Sequence, residues 1–250
     1  MTAGDTPPNV RVYETARELA AATAARFVEL ARAATDARGV FSVALAGGTT
    51  PRRVYELLAG PELAAQVDWP NVHVFFGDER AVPPDDAESN YRMAHEALLS
   101  RVAVPAENVH RIEGRGDAAA NASRYEDELR GFFADADWPR FDLVMLGMGD
   151  DGHTASLFPQ TPALAEGRAW VAPNWVEKLG AWRVTLTAPA VNAARHVIFL
   201  VSGAGKAARL REVLRGPRDP ERLPSQLINP ADGTLEWFVD RDAASQLDGE

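Results

Sequence analysis

The stretch FSVALAGGTTPRRVYELL, from Phe41 to Leu58, joins an apolar run to a helical pattern through two adjacent glycines. The apolar run predicts a buried β-strand, because it contains aromatic and β-branched residues and ends at glycine. Thr49 or Thr50 is predicted to cap the following helix, and Pro51 suits its first position. A strand, a tight turn and a helix in this order form the unit that builds doubly wound α/β sheets.

Three further apolar runs end in turn residues and indicate parallel strands covered on both faces. They span Val72 to Asp78, Phe141 to Gly149 and His196 to Gly203. Helical periodicity predicts helices around 16–34, 91–99 and 207–214. Two short apolar stretches at 183–187 and 235–240 predict additional strands, and an edge position in the sheet is one option for them. We therefore predict a single α/β domain over residues 1–250, doubly wound and Rossmann-like, with a mostly parallel sheet and helices on both faces.

Composition limits the function classes. The chain has 250 residues, 26 Lys and Arg against 36 Asp and Glu, and a net charge of −10 without a basic stripe. Nucleic acid and membranes are therefore not expected partners. No cysteine is present, which excludes disulfides and thiolate chemistry. No secretory or membrane-spanning pattern is found, so a cytoplasmic protein is expected, either a monomer or a weak homo-oligomer.

Ligands of open α/β sheets bind at the carboxyl ends of the strands. Gly47, Gly48 and Thr49 follow one strand and would expose backbone N–H groups to a phosphate, although a turn without a ligand explains them equally well. Lys206 begins a helix after a glycine-rich turn and is a second phosphate candidate, the alternative being a solvated lysine.

Another strand ends in Asp78, Glu79 and Arg80. Charges of both signs at a strand end are typical of a functional site, because each alters the pKa and orientation of its neighbours. A solvated salt-bridge loop is the competing interpretation, and it is slightly favoured when this stretch is taken alone.

The remaining strand ends in LGMGDDGHTASLFP, Leu146 to Pro159, which has the G-x-G-x-x-G spacing of a dinucleotide loop. Asp150 and Asp151 would repel a pyrophosphate, and Pro159 shortens any following helix, so no nucleotide cofactor is expected. His153 beside these carboxylates is instead a candidate general base, although a structural histidine is the alternative.

Other chemistries receive less support from the sequence. No G-x-S-x-G elbow is present, so Ser156 as a nucleophile is a minor option. No H-E-x-x-H motif is present either, so the sequence has no signature of a catalytic zinc. Asp150, Asp151 and His153 could bind a metal, but a metal-free site is preferred. The four strand ends together predict a cleft in which a phosphorylated small molecule undergoes acid–base chemistry.

Five segments together resemble the 6-phosphogluconolactonase family, within the sugar-phosphate isomerase and deaminase group. They occur in the family's order between Ala44 and Ile228, and DER, SNYRM and DGHTASLFP are their most specific elements. The segments are ALAGGTTPRRVYELL, VHVFFGDERAVPPDDAESNYRMAHEALL, FDLVMLGMGDDGHTASLFP, RVTLTAPAVNAARHVIFLVSGAGKA and LPSQLI.

The resemblance implies hydrolysis of 6-phosphoglucono-δ-lactone to 6-phosphogluconate in the oxidative pentose phosphate pathway, without a covalent nucleophile or cofactor. His153 would deprotonate water, oriented by Asp150 or Asp151, while Arg80 and Lys206 would bind the phosphate or the oxyanion. The expected substrate or phosphate contacts, including the charged cluster, are Gly47, Gly48, Thr49, Asp78, Glu79, Asn90, Arg183 and Lys206.

Two alternatives stay open. The related glucosamine-6-phosphate deaminases have an acidic residue shortly after the D-G-H histidine, whereas Thr154 to Phe158 contain none, which favours the lactone. A non-catalytic sugar-phosphate-binding protein is the second alternative.

The segment VAPNWVEKLGAWRVTLT, with Trp175 and Trp182, departs from the family's proline-rich, lysine-containing segment. The loop over the substrate is therefore expected to differ, and no contact is assigned to Lys178.

Overall fold

A six-stranded parallel sheet forms the centre of the fold. The computed structural model describes residues 9–134 and 136–247. The prediction that the amino terminus has no secretory pattern concerns residues 1–8 in part, and these lie outside the described residues. The described strands are β1 (Asn9–Tyr13), β2 (Phe41–Leu45), β3 (Val72–Phe76), β4 (Asp78–Arg80), β5 (Leu143–Gly147), β6 (Val171–Val176), β7 (Ala181–Leu186), β8 (His196–Val201) and β9 (Thr234–Asp240). The main sheet has the order β1-β9-β8-β5-β2-β3, and β4-β7-β6 form a small antiparallel sheet.

Helices flank the main sheet. They are α1 (Ala16–Arg38), α2 (Thr49–Leu58), α3 (Pro61–Ala64), α4 (Asn90–Ala97), α5 (Ala118–Phe132), α6 (Ala188–Asn192), α7 (Ala207–Arg215) and α8 (Arg241–Ala244). The predicted doubly wound α/β class with a mostly parallel sheet is confirmed. Buried apolar side chains from both sheets, among them Val184 and Leu186 of β7, belong to one cluster, which favours the interpretation as a single domain. No helix among the described residues combines the length and apolarity needed to cross a membrane.

The edge positions considered for two strands are wrong. Strand β9 is internal, because β1 pairs with it in parallel and covers it. Strand β7, which contains most of the predicted strand at 183–187, is the middle strand of the small sheet rather than part of the main one. Neither β1 nor β6 is predicted from the sequence, since β1 is largely exposed and β6 contains Pro173.

The turn between β2 and α2 is built as the sequence suggests, with one difference. Gly48 has φ +101°, a conformation that favours glycine, and it precedes the helix as its cap. The predictions of a Thr49 or Thr50 cap and of Pro51 as the first helical residue are therefore wrong, because the helix already begins at Thr49 and Pro51 is its third residue. The Tyr55 hydroxyl accepts a hydrogen bond from Ala46 N at 3.0 Å and donates one to Ala46 O at 2.8 Å, which ties α2 to the turn.

The strand order places the expected ligand site. The chain runs outward from β2 to β3, and then from β5 through β8 to β9 in the opposite direction. The direction of winding changes between β2 and β5, which are adjacent. A crevice opens at the carboxyl ends of the strands at such a point. The loops that follow β2 and β5 carry Gly47 and His153, so this is where function is expected.

Candidate active site at the carboxyl edge of the sheet

A cleft of about 260 Å³ lies at this switch point. Its walls come from the turns after β2, β3 and β5, from the start of α4 and from the turn before α7. Predicted site residues that line it are Gly47, Gly48, Asp78, Arg80, Asn90, His153 and Lys206. The predicted residues that do not line the cleft itself are Thr49, Glu79, Asp150, Asp151 and Arg183.

His153 forms a pair with Asp151. Its Nδ1 lies 2.5 Å from Asp151 Oδ1, and its backbone N–H donates to the same oxygen at 3.1 Å. The ring also stacks on Phe158 with 4.0 Å between centroids. A carboxylate at Nδ1 favours the tautomer with the proton on Nδ1, which leaves Nε2 as the acceptor. The imidazole is therefore fixed in place and in tautomer, as a general base requires.

The glycines of this loop make room for the pair. A Cβ on Gly149 would lie 2.0 Å from His153 Nδ1 and 2.1 Å from its Cε1. Gly152 has φ +83°, and its carbonyl accepts hydrogen bonds from Ser225 N and Oγ, both at 2.9 Å. The Gly149 position thus permits close approach of the imidazole, and the Gly152 turn is supported by the distant LPSQLI segment.

The electrostatic surroundings keep the imidazole neutral at pH 7. Burial of the ring lowers the pKa of His153 to about 4, Asp78 opposes this shift, and Lys206 adds to it. A neutral imidazole can accept a proton, whereas an imidazolium cannot. The site therefore presents a base in its active protonation state at neutral pH.

The two aspartates of the loop have different partners. Lys206 Nζ lies 2.5 Å from Asp150 Oδ1, and this lysine lowers the pKa of Asp150. Asp151 receives His153 on one oxygen and the ammonium of Lys178 on the other. The sequence does not distinguish Asp150 from Asp151 as the residue that orients the histidine, and the structure shows that Asp151 makes the contact. Lys178 is a site residue that the sequence did not assign.

Residues 78 to 80 alternate in direction along β4. Asp78 and Arg80 line the cleft, whereas Glu79 is buried on the other side. Glu79 accepts hydrogen bonds from Asn90 N at 2.7 Å and from Tyr91 N at 2.8 Å, and burial raises its pKa. Its carboxylate thus binds the amino-terminal N–H groups of α4, where a negative charge is favourable. The substrate contact expected for Glu79 is replaced by a role in placing α4 and Asn90.

Asn90 brings an unpaired acceptor to the cleft. Its side-chain amide donates to Asp78 O at 2.9 Å, while its Oδ1 is buried without a hydrogen-bond partner. A Cβ on Gly47 would lie 1.8 Å from that oxygen, so only glycine fits there. A buried acceptor without a partner costs free energy unless a ligand or water donates to it. Asn90 is therefore suited to receive a hydroxyl of a bound molecule.

Ser156 is committed to another contact. Its hydroxyl donates to Asp78 Oδ2 at 2.6 Å, so it does not serve as a nucleophile activated by His153. Among the described residues no three histidine, aspartate or glutamate side chains are grouped as a metal ion would need. Asp150 and Asp151 turn toward different lysines, which gives the alternative metal site no geometric support.

Two arginines are cross-strand neighbours in the small sheet. Arg80 on β4 is paired in register with Arg183 on β7. Their side chains donate to the backbone carbonyls of Glu88 and Trp182, which carry no net charge. Burial lowers the pKa of Arg183, and the neighbouring Arg80 lowers it further. Two adjacent cations in this state favour an anionic ligand that contacts both of them.

An oriented histidine and a group of cations thus lie at the switch point of a doubly wound α/β sheet, an arrangement suited to a phosphorylated small molecule. A sequence model described as "Glucosamine-6-phosphate isomerases/6-phosphogluconolactonase" matches residues 14–237. The chain belongs to this family, and the resemblance inferred from its motifs is confirmed.

Two known proteins that resemble this chain are named 6-phosphogluconolactonases. The 6-phosphogluconolactonase of Synechocystis is 44% identical over 213 residues, which cover 84% of this chain and 86% of the relative. The structure of 6-phosphogluconolactonase from Trypanosoma cruzi superimposes with a TM-score of 0.88 and 30% identity over 100% of both chains. A monomeric glucosamine-6-phosphate deaminase reaches a TM-score of 0.79 at 20% identity, covering 95% of this chain and 99% of its own. The last comparison shows a shared fold only.

Proposed function

We propose that this protein hydrolyses 6-phosphoglucono-δ-lactone to 6-phosphogluconate. The observation that carries the proposal is the His153–Asp151 pair at the cleft, with a neutral imidazole whose Nε2 can accept a proton. The named relatives support the same substrate. The product assigns the enzyme to the oxidative pentose phosphate pathway, and a cytoplasmic location stays a prediction.

The proposed reaction needs one activated water and no covalent enzyme intermediate. His153 Nε2 takes a proton from water as the hydroxide attacks C1 of the lactone, which gives a tetrahedral oxyanion. The C1–O5 bond then breaks, and the imidazolium returns its proton to O5. This proton transfer regenerates the neutral imidazole, whose protonated form Asp151 stabilises between the two steps. The new carboxylic acid then ionises at neutral pH and releases one proton.

The cations of the cleft have separate roles in this proposal. Arg80 and Arg183 bind the phosphate, because they are cross-strand neighbours and their side-chain hydrogen bonds go to neutral carbonyls. Lys206 lies close enough to affect the pKa of His153, so it stabilises the oxyanion near the reacting carbon. Asn90 Oδ1 accepts a hydrogen bond from a sugar hydroxyl.

Substitution of Arg183 tests the phosphate site. Arg183→Met is expected to raise KM for the phosphorylated lactone roughly tenfold or more with little change in kcat, because one charge-assisted contact is lost. The rate with unphosphorylated glucono-δ-lactone should not change. Initial rates with both lactones measure this, and Arg101→Met, at an exposed position, is the control. An equal loss with both lactones would contradict the assignment.

Substitution of Gly149 tests the packing of the pair. In Gly149→Ala the new methyl group overlaps His153, so the ring must leave Asp151. We expect kcat to fall on the order of 10²-fold, the size of effect that a displacement of about 1 Å can produce. Gly131→Ala is the matched control, since a Cβ there meets nothing within 4 Å. Full activity of Gly149→Ala would show that the pair is not needed in this geometry.

The deaminase alternative is separated by a parallel assay. The loop after His153 places Thr154 Oγ1 on Gly147 O and the Ser156 hydroxyl on Asp78, and it offers no carboxylate to open an amino-sugar ring. We expect acid release from the lactone and no ammonia from glucosamine 6-phosphate. Ammonia release would overturn the proposal, and binding of 6-phosphogluconate without turnover of the lactone would favour a non-catalytic protein.

A further inference from the structure

The hairpin formed by β6 and β7 presents a lysine to the cleft. Its turn, Glu177–Leu179, is followed by Gly180 in a left-handed conformation with φ +57°. Trp175 and Trp182 oppose each other across the hairpin, with 5.5 Å between their ring centroids. The Trp175 indole donates to Glu177 Oε2 at 2.7 Å. The two exposed tryptophans therefore close the base of the turn and restrict its conformation.

The middle residue of that turn, Lys178, makes two contacts with the surroundings of His153. Its ammonium forms an ion pair with Asp151 Oδ2, while Asp151 Oδ1 faces His153. The same ammonium lies 4.8 Å from the centroid of the Phe158 ring, which stacks on His153. The carboxylate and the aromatic ring that position the imidazole are thus both in contact with one cation.

We propose that Lys178 is a positioning residue, which orients Asp151 and Phe158 and so fixes both the placement and the basicity of His153. The inference deepens the proposed lactonase function and rests on it. The ion pair engages one carboxylate oxygen, so the other is directed at Nδ1. The cation–π contact keeps Phe158 stacked on the imidazole ring.

The charge of Lys178 also affects the protonation of His153. A carboxylate beside an imidazole favours the imidazolium, and a cation on that carboxylate reduces the effect. The other charged groups that influence His153 are Asp78, Asp150, Lys206 and Arg183. Removal of Lys178 leaves Asp151 uncompensated, and the pKa of His153 must then rise. The lysine thereby helps to keep the base neutral at low pH.

Titration of the His153 ring by NMR tests the inference without relying on turnover. The ring resonances are assigned by comparison with His153→Gln and followed with pH in the full-length protein. In Lys178→Met the midpoint should rise by about half to one pH unit, the size expected when a nearby half-exposed charge is removed. Lys178→Arg should restore the midpoint, because it returns the charge. An unchanged midpoint in Lys178→Met would overturn the proposal.

Kinetics provide a second readout. In Lys178→Met we expect a severalfold loss of kcat with KM nearly unchanged, and recovery in Lys178→Arg. Leu179→Ala, an exposed neighbour on the same turn, should alter neither the midpoint nor kcat. Equal effects of Lys178→Met and Leu179→Ala would show that the loss comes from disturbing the turn and not from the ammonium group, which would overturn the proposal. If the parent protein itself fails to accelerate lactone hydrolysis, the proposed function fails, while the NMR midpoints still decide the role of Lys178.

Discussion

His153→Ala is expected to lower kcat/KM for 6-phosphoglucono-δ-lactone by roughly 10³-fold, within the range that a positioned general base contributes. The imidazole is the base at the cleft whose tautomer is set by a carboxylate and whose pKa is lowered to about 4. Without it, water must attack unassisted while Lys206 and the arginines still bind the substrate. KM should therefore change little, and the loss should appear in kcat.

Initial rates corrected for spontaneous hydrolysis measure this loss. His95→Ala is the matched control, because this histidine is exposed on α4 and does not line the cleft. Added imidazole should partly restore the rate of His153→Ala and have no effect on the control. A His153→Ala protein as active as the parent would remove the assigned base.

Asp151→Asn should produce the second-largest loss, on the order of 10²-fold or more in kcat. The amide nitrogen of asparagine can donate to His153 Nδ1, which moves the ring proton to Nε2 and leaves no acceptor toward the water. The ion pair with Lys178 is lost in the same substitution. Size and shape are nearly preserved, so the effect reports the tautomer and charge rather than packing.

Asp150→Asn provides the comparison that separates the two aspartates. Asp150 contacts Lys206 and not His153, and its side chain is 85% exposed. Its substitution should therefore reduce kcat clearly less than Asp151→Asn does. A larger loss in Asp150→Asn, measured at equal folded protein by circular dichroism, would reverse the assignment of the orienting carboxylate.

The central strands could be predicted because a strand that is buried on both faces is a nearly continuous apolar run in the sequence. Strands β2, β5 and β8 are apolar over nearly their whole length and end near glycines. Strand β1 has no such apolar run, since its residues are largely exposed and none of them is fully buried. Its pairing with β9 depends on contacts between distant parts of the chain, which local periodicity does not contain.

The charged cluster shows a second limit. The sequence places Asp78, Glu79 and Arg80 together, but it does not indicate that they form a short strand of their own. Side chains alternate between the two faces of a strand, so Asp78 and Arg80 reach the cleft while Glu79 binds the start of α4. The different roles of Glu79 and of its two neighbours therefore follow from the strand, which the sequence does not predict.

The D-G-H stretch, residues 151–153, predicts more of the site than the charged cluster does, because the histidine and its carboxylate are only two residues apart. Local spacing therefore predicts their contact, whereas the contact between Lys178 and Asp151 spans 27 residues and depends on the β6–β7 hairpin. The tryptophans that mark this hairpin could not be distinguished from core residues by type alone. Their exposure and mutual packing became evident only in the folded chain.

The most direct test of the central claim is a continuous pH-stat measurement with freshly prepared 6-phosphoglucono-δ-lactone. Acid release is expected well above the spontaneous rate, in proportion to enzyme concentration and unchanged by a chelator, because His153 rather than a metal activates the water. Acid release at the spontaneous rate would contradict the lactonase function, and its abolition by the chelator would contradict the metal-free mechanism.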